Sequence, residues 1–437
     1  MIEKENIGSL EKVLLFLVIF SLIFLQRIAI PIGNLQLSPV FIFSFLLILV
    51  LFSINRIEIH QQRLIIFLLA LVGVFISSVF ALVHLKEVGI SSLFSLVAFY
   101  IPFLFICRQK GMYAFIISAF QGSMIIVAVG GVIQFLLQVA GAGFIDPIQQ
   151  IIPEALRLTG YMNQLPLFFG SPIMKSNGLF MLEPSFYSKF IATAIVIEFI
   201  TKRRIVVLIL FCIALLFSFS GTGFMILAIA AVPLLFRLKV VQICFLAILL
   251  VIPTYIFFDK GYGEVFIERL DEFNHPDTSG HVRFIAPWLT FNEFLTWESS
   301  GTILLGNGAG SLQEYHGREF AFDESSTVYK TSHANAYIKL FVEYGLVGGL
   351  FFCLFLIYVF LSNKQNKLLI FCLFFNYSFL TVSLLQPSTV YLCFILCMIS
   401  TEQWEESVSF YKQNRKNSRL SIQQSIGNIN FLLRRTT

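Results

Sequence analysis

The residues of this sequence that could do chemistry suit an anionic substrate. Arg283 lies five residues before Trp288, and an arginine fork matches phosphate oxygens while a tryptophan suits a lipid headgroup region. His333 stands at the start of an apolar segment, where it could act as a base or a charge partner near neutral pH. Glu183 precedes a proline that suits the first turn of a helix, so its carboxylate would lie at the positive helix end. These residues predict a site for a phosphate-bearing lipid headgroup.

Further residues could bind the same substrate from neighbouring segments. The alternating glycines of 306–310, among them Gly308 and Gly310, allow positive φ and let backbone N–H groups approach an anion. No Gly-Lys-Ser/Thr follows, so the stretch is not a Walker loop, and a plain turn is the alternative. Asn335 and Tyr337 follow at the mouth of the apolar segment that the histidine opens. All four residues are candidate substrate-binding residues.

Charged residues inside apolar segments are costly and are functional candidates for that reason. Lys189, Lys339 and Glu343 are such residues. Lys339 and Glu343 are four residues apart, so on a helix they would share a face and could simply neutralise each other. The other charged candidates have structural alternatives as well, because Glu183 could cap a helix and Arg283 could be solvated on a loop.

These candidates are set in a chain that only a membrane can accommodate. Of the 437 residues, 57% are hydrophobic and 13% are charged, about half the charged share of a soluble domain. The seven cysteines lie in or beside apolar segments, which excludes a disulfide-stapled ectodomain, and no spacing is typical of zinc. No basic patch with interleaved aromatic residues occurs, so the net charge of +5 does not indicate nucleic acid. We therefore predict a polytopic all-α membrane protein.

About twelve segments have the length and hydropathy of transmembrane helices. They lie near 10–26, 36–54, 63–83, 88–107, 112–139, 185–201, 204–219, 221–236, 240–258, 334–361, 367–384 and 386–401. Lys and Arg collect in alternate loops, which places both termini in the cytoplasm. The first apolar run is predicted to be an uncleaved helix, because no cleavage pattern follows it.

Two connections are too long to be simple links, and the alternation places both outside the cytoplasm. They comprise residues 141–184 and 259–333, and the second should carry short helices. Residues 1–401 form one predicted transmembrane domain, and 402–437 form a basic cytoplasmic tail. The longer loop should fold back over the outer helix ends, which would bring its residues near Glu183.

Several of these segments, in this order, resemble the O-antigen polymerase and O-antigen ligase families (Wzy-like and WaaL-like proteins). The matching pieces lie between about 175 and 360 and are 178–185, 220–223, Arg283 with Trp288, 306–310, 332–335 and 343–348. Family members often carry another arginine after the seventh span, where this chain has only the polar stretch 218–223. Residues that could replace this cation are Arg157, Lys175, Lys189 and Lys339.

The resemblance implies a GT-C-like glycosyltransferase of the bacterial inner (plasma) membrane that needs no metal and no cofactor. Such an enzyme takes a glycan carried on undecaprenyl diphosphate and transfers it to a hydroxyl of another glycan, with the polyprenyl diphosphate as leaving group. By this resemblance Arg283 stabilises the diphosphate. His333 orients or deprotonates the acceptor hydroxyl, or else contacts the diphosphate, and Glu183 is a second candidate base.

The expected function is polymerisation of undecaprenyl-diphosphate-linked oligosaccharide repeat units into a surface polysaccharide, which could be O-antigen, capsule or exopolysaccharide. An O-antigen ligase differs only in its acceptor, and these residues do not separate the two. A flippase or transporter for the same lipid-linked units is the second alternative, although it would need charges deep in several spans. Expected partners are membrane lipids and the chain-length regulator and flippase of the same pathway, with no nucleic acid.

Overall fold

The structure is a computed structural model, and it describes residues 7–32, 35–107, 109, 111–167, 171–235, 281, 284–312, 335–363, 365–381 and 384–400. The ninth predicted span near 240–258, most of the long loop 259–333 and the tail 402–437 lie outside these residues. Arg283 and His333 also lie outside them, so the roles predicted for both residues stay predictions.

The described chain is mostly helical. In an apolar segment the backbone N–H and C=O groups need hydrogen-bond partners, and an α-helix supplies them within the segment itself. Its α-helices are α1 (Ser9–Phe24), α2 (Pro39–Ser53), α3 (Gln61–Val83), α4 (Ile90–Tyr100), α5 (Met112–Val139), α6 (Pro147–Ile151), α7 (Pro184–Ile200), α8 (Ile205–Phe217), α9 (Gly221–Leu235), α10 (Ala286–Trp297), α11 (Ser300–Leu305), α12 (Ala336–Leu361), α13 (Lys367–Phe379) and α14 (Pro387–Cys393). Short 3₁₀-helices lie at Ile101–Leu104 and Glu154–Leu156, and a π-helical turn lies at Phe394–Met398. Two short antiparallel pairs join β1 (Ile30–Ile32) to β2 (Leu35–Leu37) and β3 (Ile57–Ile59) to β4 (Phe105–Cys107).

Three of these helices, α3, α5 and α12, are long and apolar enough to cross a membrane. The all-α class is thus confirmed, and the membrane class is supported by these three helices. The other predicted spans within the described residues correspond to helices of 7 to 17 residues. The fourth predicted span, for example, ends its α-helix at Tyr100, because Pro102 follows in a tighter turn. The count of twelve spans and the GT-C-like architecture stay predictions.

One end of the helix assembly carries the loops that the Lys and Arg pattern places outside the cytoplasm. There the Gly89 N–H donates to the Ala309 carbonyl at 2.7 Å, which joins the loop after α3 to the loop after α11. The Ser176 N–H donates to the Phe217 carbonyl at 3.1 Å, which joins the loop before α7 to the end of α8. We name this the outer end.

The opposite end carries the loops that the same pattern places in the cytoplasm. Gln109 donates to the Glu11 carboxylate at 2.8 Å, and Gln365 donates to the Ser400 carbonyl at 3.1 Å. Contacts therefore join loops that were predicted to lie on the same side. The alternation of the spans and the assignment of this end to the cytoplasm stay predictions.

The described part of the long loop folds back on the bundle. The ring of Phe291 on α10 lies 5.8 Å from that of Phe341 on α12. Phe294 and Val342 belong to one small buried cluster with Leu312, so both ends of this part pack on the first turns of α12. The expectation that this loop lies over the outer helix ends agrees with the structure for residues 284–312.

Candidate functional site

Glu183 stands at the start of α7, but its carboxylate does not cap the helix. Its backbone carbonyl accepts the N–H of Phe186, while its side chain makes no bond to the N–H groups of the first turn. The carboxylate instead accepts the Met162 N–H at 3.2 Å and the Ser185 hydroxyl at 3.0 Å. It is half-buried at the outer end, so it combines access to solvent with a fixed orientation.

Lys189 lies two turns further along α7 and is 3% exposed. Its ammonium nitrogen is 4.0 Å from the centre of the Phe186 ring, a distance at which the ring face attracts a cation. Tyr161 packs on the same ring edge to face, with 6.0 Å between centroids. A buried cation and a tyrosine therefore contact the same aromatic ring at the outer end of α7.

Tyr161 also connects this region to the loop before α14. Its hydroxyl donates to the side-chain oxygen of Gln386. Burial raises the pKa of Tyr161 to about 12, the bond to Gln386 lowers it in part, and the charge of Glu183 raises it. The phenol is therefore protonated at neutral pH and serves here as a donor.

The segment before Glu183 is held by buried polar contacts with α5. Gln134 accepts the Asn177 N–H at 3.1 Å and the Ser176 hydroxyl at 2.9 Å through one oxygen. Gly178 has a φ of +68°, and a Cβ there would meet the Tyr187 ring at 2.7 Å. Only glycine fits this turn, which explains why the asparagine-glycine pair precedes the helix.

The turn at 220–223 is bound to α7 through hydroxyl groups. The Ser188 and Thr222 hydroxyls are 2.7 Å apart, and Thr222 donates to the Ser185 carbonyl at 3.1 Å. A Cβ at Gly223 would lie 2.5 Å from the Ser188 carbonyl oxygen. Two of the segments singled out in the sequence, 178–185 and 220–223, are therefore in contact at the start of α7.

Lys339 and Glu343 form the ion pair that their spacing on α12 predicts. The ammonium and carboxylate are 2.7 Å apart, and the Glu343 side chain is fully buried. The Glu343 carbonyl accepts the Ser77 hydroxyl at 3.0 Å and the Gly308 N–H at 2.8 Å. This pair therefore lies where α3, α12 and the glycine-rich stretch meet.

The glycine-rich stretch uses positive φ as predicted, but it packs against protein. Gly306, Gly308 and Gly310 have φ of +85°, +93° and +83°. The Asn307 and Gly308 N–H groups donate to carbonyls of α12, at 3.0 and 2.8 Å. A Cβ at Gly308 would lie 2.8 Å from that of Ala81. These glycines therefore let the backbone of the loop after α11 pack directly against the backbone of α12. That they bind an anion stays a prediction.

We expect Gly345→Ala to lower the free energy of unfolding by about 2–3 kcal/mol. α12 is broken at Gly345, where φ is 65° and ψ is −174°, a conformation almost restricted to glycine. A Cβ would lie 2.4 Å from the Leu304 carbonyl oxygen. Denaturant unfolding of the purified protein in detergent micelles measures the loss.

Gly122→Ala is the matched control, because its Cβ would have no neighbour within 4 Å. That change lies inside α5 and should stabilise by up to about 1 kcal/mol. Equal stability of the Gly345 and Gly122 variants would contradict the packing described for the glycine-rich stretch.

The remaining predicted binding residues lie near the first turns of α12. The Asn335 side chain caps this helix by accepting the Ile338 N–H at 3.0 Å. The helix itself begins at Ala336. The Tyr337 hydroxyl is 2.9 Å from that of Ser378 on α13. Trp288 on α10 is 57% exposed, which leaves its ring available to a lipid or a substrate.

The structure thus brings the described candidates together in two groups at the outer end. The first is Glu183 with Lys189 on α7, and the second is Lys339 with Glu343 on α12. Helix α13 packs against both α7 and α12. The Glu183 carboxylate makes no hydrogen bond or ion pair with the second group among the described residues.

Two basic residues of the outer end form contacts that sequence reasoning did not assign. Arg27 forms a two-pronged ion pair with Asp146, at 2.5 and 2.9 Å. Lys86 donates to the Asn307 side chain, and its nitrogen is 3.8 Å from the Glu298 carboxylate. A signal was present, because Arg27 and Lys86 are basic residues in short outer loops that hold almost no others.

The described residues contain no group of three or more His, Cys, Asp or Glu side chains that could hold a metal ion. No family model and no curated protein matches the sequence of this chain.

Proposed function

We propose that this protein is a membrane glycosyltransferase that polymerises undecaprenyl-diphosphate-linked oligosaccharide repeat units into a surface polysaccharide. In this proposal it lies in a bacterial plasma membrane with both termini in the cytoplasm, and the outer end faces away from the cytoplasm. The observation that supports the proposal is the half-buried Glu183 carboxylate at the outer end, with the buried Lys189 six residues further along the same helix.

The reaction needs few catalytic groups, because a diphosphate is already a good leaving group. The acceptor hydroxyl oxygen attacks the anomeric carbon of the lipid-linked glycan, and the bond from that carbon to the diphosphate oxygen breaks. The diphosphate leaves with the bonding electrons, and a base takes the hydroxyl proton. Cations near the diphosphate and a fixed acceptor lower the barrier most.

The roles follow from the residue types. Glu183 is oriented by Met162 and Ser185 and reaches solvent, as a base for an acceptor hydroxyl must. Arg283 binds the diphosphate, and His333 orients or deprotonates the acceptor or contacts the diphosphate. Lys189 supplies the second positive charge, in place of the arginine that the resembling families often carry after the span that corresponds to α8.

The distribution of charge supports an enzyme over a transporter. In the described helices every Asp, Glu, Lys and Arg lies within about two turns of a helix end. Lys189 and Glu343 are the deepest of them in α7 and α12. A path for a charged substrate through the bundle would place such groups at mid-depth in several helices.

Deletion of the gene with complementation tests the proposal. The expected result is loss of long glycan chains while single repeat units remain attached to the cell surface. Loss of all attached glycan would overturn the polymerase proposal in favour of a ligase. Unchanged glycan would overturn both.

In the same cells, Arg283→Ala and His333→Ala should each fail to restore long chains. Arg203→Ala is the matched control, because Arg203 is exposed at the opposite end of the bundle, after α7. Immunoblots of membrane fractions confirm equal amounts of each variant. Full complementation by both outer-end variants would contradict the roles assigned to Arg283 and His333.

A further inference from the structure

A groove of about 930 Å³ lies between α1, from Phe16 onward, and the first half of α5, from Phe115 to Ile126. Its wall includes the rings of Phe16, Phe20 and Phe24, which follow one another along α1, and Ile126 of α5. Phe180 closes it on one side with its ring 5.1 Å from that of Phe24. Apart from two serines, the side chains that line it are apolar, so it suits a hydrocarbon chain.

The outer mouth of the groove is shaped by a loop that pairs with the end of α1. The Ala29 N–H donates to the Leu156 carbonyl at 2.9 Å, and the Leu158 N–H to the Arg27 carbonyl at 2.9 Å. Ile148 of the short helix α6 also lines the groove. The edge of the groove at the outer end, which we call its rim, is therefore formed by an ordered loop that is hydrogen-bonded to the end of α1.

Arg157 lies at this rim. The backbone of Arg157 pairs with that of Ile28, and its Nε donates to the Ile152 carbonyl at 2.9 Å; both isoleucines line the groove. The two terminal nitrogens of Arg157 make no hydrogen bond or ion pair with any described residue. Glu154 contacts Arg157 through its backbone carbonyl, not through its carboxylate. The guanidinium is thus held in place through Nε, and its two terminal nitrogens can donate hydrogen bonds to a ligand.

The rim is continuous with the candidate site. Residues 157 to 162 lead from Arg157 to Met162, whose N–H contacts the Glu183 carboxylate. Five residues span at most about 17 Å, so Arg157 lies within that distance of the Glu183 contact. Phe180 on the groove wall also stands three residues before Glu183.

We propose that this groove binds the polyprenyl chain of the lipid-linked substrate and that Arg157 holds its phosphate at the mouth. The inference rests on the proposed function, which supplies a lipid with a long isoprenoid chain and an anionic headgroup. An apolar groove open along the bundle admits the chain from the membrane, and the open guanidinium fork pairs with phosphate oxygens. The glycan end of the same lipid then lies toward Glu183.

Binding of undecaprenyl phosphate to the purified protein in detergent tests the groove. Gly122→Phe places a ring in the groove, because Gly122 lines it and a Cβ there has no neighbour within 4 Å. We expect this variant to bind undecaprenyl phosphate at least about tenfold more weakly, a loss of about 1.4 kcal/mol. Ile133→Phe is the matched control, since Ile133 is 50% exposed on α5 outside the groove. Equal binding by the two variants would overturn the assignment of the chain to this groove.

The headgroup is tested with Arg157→Ala. This variant should bind undecaprenyl phosphate about tenfold more weakly but bind the uncharged undecaprenol as the wild type does. Equal loss for both lipids would overturn the phosphate contact. Displacement of the probe by phosphatidylglycerol at equal concentration would overturn the polyprenyl assignment in favour of an ordinary membrane lipid.

These measurements separate the inference from the function on which it rests. Tight binding of undecaprenyl phosphate that depends on Gly122 and Arg157, in a protein that forms no polymer, would leave the groove in place and remove the proposed function. Polymer formation by the wild type, together with normal lipid binding by both variants, would keep the proposed function and overturn the assignment of the lipid to the groove.

Discussion

Arg27→Ala is expected to lower the free energy of unfolding by about 3–5 kcal/mol, because it leaves the Asp146 carboxylate buried without its partner. The two side chains are 9% and 4% exposed and are joined by two bonds of 2.5 and 2.9 Å. They connect the end of α1 to the start of α6, 119 residues away in the chain. Denaturant unfolding of the purified protein in detergent micelles measures the change.

A double variant separates the buried charge from a general loss of packing. Arg27→Leu combined with Asp146→Asn removes both charges, while asparagine can still accept the Gln149 N–H that caps α6. Replacing both partners of a buried pair is often close to neutral, so the double variant should be clearly more stable than Arg27→Ala. Equal destabilisation of the two would show that the ion pair is not what holds this junction.

Glu183→Gln is expected to slow glycan transfer by about 10² to 10⁴, the range for loss of a general base. Met162 and Ser185 donate to different oxygens of the carboxylate. In the variant the amide oxygen can still accept the Met162 N–H while the amide NH2 donates to the Ser185 hydroxyl, so the fold should be kept. Initial rates with the purified protein and a lipid-linked oligosaccharide measure the effect.

Glu87→Gln is the matched control, since Glu87 is an exposed carboxylate in another loop of the outer end. It should transfer glycan at the wild-type rate. A Glu183 variant as fast as the Glu87 variant would assign the base to another residue, and His333 would then be tested in the same assay.

The helices could be predicted from the sequence because their signal is local. A long apolar run forms a helix in a membrane whatever it packs against, so α3, α5 and α12 lie close to their predicted bounds. The same holds for the ion pair of Lys339 and Glu343, whose spacing of four residues places both on one face.

Contacts between distant segments could not be predicted. The pairing of Arg27 with Asp146 depends on where two loops meet, and neither residue has a neighbour in the sequence that reveals it. The alternating glycines indicated positive φ, but not that their backbone would bond to α12 beside Gly345. The groove between α1 and α5 likewise depends on the packing of two helices, while each apolar face alone looks like any membrane surface.

The roles of the candidate site residues stay predictions. In the structure the turn at 220–223 packs on the start of α7, the helix that carries Glu183 and Lys189. The carboxylate is oriented by a loop amide and a serine, which no pattern in the sequence revealed. Tyr161 and Arg157 lie in the same outer loop, 141–184, whose length was the signal that it does more than connect two helices.

The most direct test is polymerisation by the purified protein in liposomes. The substrate is the lipid-linked oligosaccharide that accumulates in cells lacking the gene, so no other component of the pathway is needed. We expect a ladder of lipid-linked chains that lengthens with time, with one polyprenyl diphosphate released for each bond formed. Liposomes in which the protein binds this lipid but neither lengthens the glycan nor releases polyprenyl diphosphate would contradict it.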